Sequence, residues 1–203
     1  MKRKTKLIVT ESQANYAKHN LLKENDDLYM HQKLKQLVES GDGENIEIAM
    51  QICQGLGIDF FEEILPDYKG LVYYFEQNRI YELNGAIDYY SANLVAHFLN
   101  KTTLNLEDKD ITSLPLEIRV MKNLKYLYLS YNRGLRELPA FLGNMGLFHL
   151  DIVGTTISTI PDTFINNPIN KDLQITYSYE LDMPEEKIKA LDNNIRFLKE
   201  TDI

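Results

Sequence analysis

The sequence predicts an α/β solenoid: a short stack of parallel strands, preceded by a helical N-terminal cap and closed by a C-terminal helix. Three observations carry this. A four-part apolar pattern recurs at a 23-residue step between residues 101 and 178. Residues 1–100 instead carry apolar stripes at helical spacing. The tail carries a further helical stripe from about Pro184 to Lys199. The expected domains are therefore 1–100 (helical cap), 101–178 (repeats) and 179–203 (closing helix).

Residues 1–100 come first. His31, Leu34, Leu37 and Val38 form a stripe that ends at Gly41. After the Ser40-Gly41-Asp42-Gly43 turn, Ile48, Ala49, Ile52, Cys53 and Leu56 form the next stripe, stopped by Gly57. Together they predict a helical hairpin. Phe60, Phe61, Ile64 and Leu65 cluster before Pro66, and Ile87, Tyr90, Leu94, Phe98 and Leu99 return to helical spacing. The expected role of this region is to cover one open end of the repeat core, with an independent binding module as the alternative.

The repeat follows. Leu104-Asn105-Leu106, Leu127-Tyr128-Leu129, Leu150-Asp151-Ile152 and Leu173-Gln174-Ile175 head successive units. After the first three come Ile111, Leu135 and Ile157. Next are Leu114-Pro115, Leu138-Pro139 and Ile160-Pro161, and then Ile118, Leu142 and Phe164. Alternation puts the two outer residues of each triplet on one face of a short strand. Proline lacks an N–H, so it suits the connection better than the ladder. One unit is too small to bury its own apolar edge, whereas stacked units bury a continuous core.

This pattern resembles the leucine-rich repeat family, in a 23-residue form with Leu-Pro-x-x-Ile on the outer side. The resemblance runs from about Lys101 to Ser178. It implies a parallel-strand arc that binds other proteins. The family's bridging asparagine is present as Asn132, with Lys109, Thr155 and Ser178 at the corresponding positions. The leucine three residues before the strand pair is kept at Leu124 and Leu147, but is Lys101 and Asn170 in the end units. The text VESGDGENIEIAMQICQGLGI is similar to the helical preambles of some short bacterial members.

In the tail, Pro184 suits a first helical position, and Glu185 and Glu186 complement a helix N-terminus. Ile188, Leu191, Ile195 and Leu198 supply the stripe. This helix is expected to close the other end of the stack.

Composition narrows the function. A net charge of −8 disfavours a duplex nucleic-acid binder or a polybasic membrane binder. The charge is spread along the chain and not held in an acidic tail. One cysteine, Cys53, allows no intramolecular disulfide and no cysteine-rich zinc site. After the basic start the apolar run is only Leu7-Ile8-Val9, too short for a signal peptide core. A cytoplasmic protein is expected, with a monomer favoured.

Chemistry is sparse. His19, His31, His97 and His149 show no metal-ligand spacing, and Cys53 sits on an apolar helical face. No nucleophile elbow, P-loop or dinucleotide fingerprint occurs. Neither catalysis nor a cofactor or metal is expected.

The strands offer a binding face. With the Leu/Ile residues inward, the expected rows are Thr103, Tyr126, His149 and Asp172; then Asn105, Tyr128, Asp151 and Gln174; then Glu107, Ser130, Val153 and Thr176. Tyr131 and Tyr177 lie at the edge. Tyr126, Tyr128, Tyr131 and His149 thus make an aromatic patch beside Asp151, Glu107 and Asp172, with Asn105 and Gln174 adjoining. Tyrosine suits interfaces because its ring buries area while its hydroxyl keeps a hydrogen bond. The expected function is non-catalytic binding of a protein partner on the concave face. A dedicated inhibitor or immunity-type protein for a basic toxin or enzyme is the alternative, and an enzyme with its site in the N-terminal helices is a remote one.

Overall fold

The computed structural model describes residues 27–78, 90–165, 167–178 and 195–199. Two compact units divide the chain. One comprises residues 1–69 and 86–99, the other residues 70–85 and 100–203.

In the first unit, α1 (Asp27–Glu39) and α2 (Gly43–Leu56) form the expected hairpin. Its apolar seam holds Leu34, Val38, Ile46, Ala49, Ile52 and Cys53, all buried. The Asp42 carboxylate accepts from the Glu44 and Asn45 amides and so caps α2, which ends at left-handed Gly57. A π-helical turn, Phe60–Ile64, follows, and Asp59 caps it through the amides of Phe61 and Glu62. His31 Nε2 lies 3.2 Å from Glu63 Oε2, linking α1 to this turn, and Lys69 pairs with Glu62. Phe61 meets Phe60 and Tyr90 edge-on, each at 4.9 Å between ring centroids. Tyr68 sits at 5.9 Å from Phe98, which α4 (Ala92–Asn100) contributes along with Leu94, Val95 and Leu99. Ile87 falls outside the described residues.

α3 (Pro66–Gln77) runs from the first unit into the second. Its later half groups with the repeats, and there Tyr74 donates its hydroxyl to the Ser113 carbonyl at 2.9 Å. Gly70 also lies against the Glu117 side chain.

The second unit is built on a five-stranded parallel sheet in sequential order. The strands are β1 (Thr103–Asn105), β2 (Tyr126–Tyr128), β3 (His149–Asp151), β4 (Leu173–Tyr177) and β5 (Ile195–Lys199). Leu104, Leu106, Leu127, Leu129, Leu150, Ile152, Leu173 and Ile175 are buried, as the alternation requires. The later repeat positions complete the core: Ile111, Leu135 and Ile157, then Leu114, Leu138 and Ile160, then Ile118, Leu142 and Phe164. After each proline the chain makes a short helical turn, at Leu116–Val120, Ala140–Asn144 and α5 (Asp162–Ile165). Each fully buried large apolar side chain contributes roughly 1.5–3 kcal/mol, so the stack is held by the set.

Asn132 is the main polar link between the first two repeats. It is fully buried. Its Oδ1 accepts from the amides of Lys109 and Ile111, and its Nδ2 donates to the carbonyls of Leu106 and Leu129. At the later positions the work is done differently. Thr155 donates its hydroxyl to Ile152 O, and Ser178 Oγ accepts from the Gly154 amide. Asn170, in the column of Leu124 and Leu147, is buried as they are and donates Nδ2 to Gly143 O and Phe164 O.

Two expectations are corrected. The helix expected to run to Lys199 does not do so, because Ile195–Lys199 pairs in parallel with β4 and adds a strand to the sheet. The rest of the expected helix, including Pro184, Ile188 and Leu191, falls outside the described residues. The register between β3 and β4 also differs. Leu150 pairs with Ile175 and not Leu173, so this step is 25 residues instead of 23. The Gln174 amide donating to Phe148 O fixes that offset.

Candidate functional site

The register decides which side chains share the sheet's other face. The observed rows are Thr103, Tyr126, His149 and Gln174, and then Asn105, Tyr128, Asp151 and Thr176. Gln174 therefore replaces Asp172 beside His149. Asp172 is exposed in the turn before β4 and is not paired with His149. In the third expected row Ser130 and Val153 are buried, so that row does not continue the exposed face, although Glu107 is exposed at the end of β1.

Two ring pairs involve residues of the expected aromatic patch. Tyr128 and His149 lie 5.4 Å apart between ring centroids, tilted by 47°. Tyr126 is exposed and meets Phe148 edge-on at 6.4 Å. Phe148 is itself exposed and is capped by Lys125, whose Nζ lies 5.3 Å from the ring centroid and donates to Gly146 O. The strand rows omit Phe148 because it precedes β3 by one residue. Its signal was available, since the other members of its 23-residue column are Thr102 and Lys125.

Tyr131 is 49% exposed and takes a left-handed backbone, φ 61°. Its ring lies over Gly154, where a Cβ would stand 2.8 Å from Cδ1. This close approach seats the ring at the strand's end. Asp151 and Asn105 have a local task as well. Asp151 Oδ1 accepts from the Val153 amide, and Asn105 Oδ1 accepts from the Glu107 amide. These turns orient both side chains.

Elsewhere, the Cys53 thiol is buried, and burial first, then Glu63 and Asp59, push it up to about 11. That suppresses the thiolate a nucleophile requires. Burial also raises the Tyr74 hydroxyl above the usual tyrosine range. Among the described residues no helix is long and apolar enough to cross a membrane.

Comparison with known proteins gives a partial match. The chain is 46% identical over 59 residues to the leucine-rich repeat serine/threonine-protein kinase 1 of Mus musculus. That stretch is 29% of this chain and 3% of the relative, so the chain spans a small part of the protein it matches. No protein-family model matches, and no solved structure matches. The similarity points to leucine-rich repeat character over that stretch alone.

Proposed function

We propose that this chain is a non-catalytic protein–protein interaction module: a leucine-rich repeat solenoid whose sheet presents a concave face to a protein partner in the cytoplasm. The observation that carries the reading is the patch of Tyr126, Tyr128 and His149 in adjacent strand rows, bordered by Phe148, Tyr131 and Asp151. Large rings with polar tips, presented by hydrogen-bonded strands, lose little conformational freedom on binding. The protonated, buried thiol supports a binding role over a catalytic one. It also suits a reducing compartment.

The test is affinity capture from native lysate with the wild type and with the Tyr126→Ala/Tyr128→Ala double variant, followed by mass spectrometry. The expected result is a partner retained by the wild type and lost by the variant, with circular dichroism unchanged. Equal capture by both would move the site off this face.

A further inference from the structure

The charge on the candidate face points to the chemistry of its partner. None of the residues 103–107, 126–131, 149–153 and 172–177 is lysine or arginine. Carboxylates are present at Asp151, in register with Tyr128, and at exposed Glu107 beside the Asn105 turn. Two cations directly flank these segments: Lys125, engaged by Gly146 O and the Phe148 ring, and Lys171, exposed in the turn before β4. Arg196 enters only at the β5 register position beyond Gln174. The β1–β3 part of the face thus offers aromatic rings with a carboxylate held in place.

We propose that the partner presents an arginine in an extended segment, with its guanidinium stacked on Tyr128 and His149 and paired with Asp151; this rests on the binding-face reading above. Arginine fits better than lysine because its planar group stacks on a ring and donates in a fork to a carboxylate at once. The Val153 amide holds one Asp151 oxygen, which fixes the carboxylate before the partner arrives.

The experiment uses the full chain and pools of random 11-residue peptides whose central residue is arginine, lysine, citrulline or glutamate. The expected result is that the arginine pool binds at least tenfold more tightly than the citrulline pool and more tightly than the lysine pool. Asp151→Asn keeps the acceptor for Val153 and removes only the charge, so it should erase the preference for arginine over citrulline. Tyr128→Ala should weaken the arginine pool tenfold. If all pools bind alike and Tyr128→Ala weakens every one of them, the arginine reading is overturned and the binding face stands. An arginine preference that survives both variants overturns the placement. No binding by any pool overturns the extended arginine-bearing segment, and lysate capture then judges the face alone.

Discussion

Replacing Asn132 with Ala removes five hydrogen bonds in one step, the longest of them to Ser130 O at 3.3 Å. The amides of Lys109 and Ile111 lose an acceptor at 3.1 Å each. The carbonyls of Leu106 and Leu129 lose a donor at 2.7 Å each. At about 1 kcal/mol net per bond the four shorter bonds sum to about 4 kcal/mol, and incomplete hydration of the freed groups keeps the loss at about 3–5 kcal/mol. Domains of this kind are stable by roughly 5–15 kcal/mol, so the variant sits near the edge of folding. Urea unfolding followed by circular dichroism measures the loss from the midpoint shift at constant slope. Asn132→Asp sharpens the test. It keeps both acceptor contacts but turns a carboxylate oxygen toward three carbonyls, so at pH 7 it should be at least as unstable as the alanine variant. Lowering the pH should recover part of the loss, because a protonated carboxyl donates to one carbonyl. A loss under about 1 kcal/mol for Asn132→Ala, with the slope unchanged, would refute the bridging argument.

Gly143→Ala places a Cβ 2.6 Å from the Phe164 amide nitrogen and the Thr163 carbonyl carbon, where the neighbour is backbone. A loss of about 3 kcal/mol or more in the same assay is expected. Gly154→Ala combines a φ of 68° with a Cβ 2.8 Å from Tyr131 Cδ1. It should cost about 1–2 kcal/mol and shift the Tyr131 ring signals in NMR. Cys53 holds its proton more tightly folded, at about 11 against 9.0, so its contribution is intact below pH 9 and lost as pH rises toward 11. That loss is about 2–3 kcal/mol, read as the difference in alkaline unfolding between wild type and Cys53→Ala. The thiol should also resist a disulfide reagent at pH 8 in the folded chain.

Much of the second unit was legible in the sequence. The columns headed by Leu104, Ile111, Leu114 and Ile118 are buried as their period requires. Each position repeats the same local demand, alternation for the strand and a proline for the turn away from it. The tyrosine patch followed from that register, because Tyr126 and Tyr128 inherit their face from Leu127 between them. Asn132 was readable as a bridge, but its partners were not, since Lys109, Ile111 and Leu106 all lie more than twenty residues away.

What the sequence could not determine was pairing, which depends on the neighbouring strand. Leu173 and Ile175 are both apolar and both buried, so alternation alone accepts either one opposite Leu150. Only the ladder with β3 selects Ile175, and that choice moves Gln174 onto the face and leaves Asp172 in the turn. The tail makes the same point. Ile188, Leu191, Ile195 and Leu198 satisfy a helical period, yet Ile195–Lys199 forms a strand because β4 offers it an unpaired row of backbone donors and acceptors. Local spacing sets which side chains want burial; hydrogen bonds to a distant strand decide the register in which they obtain it.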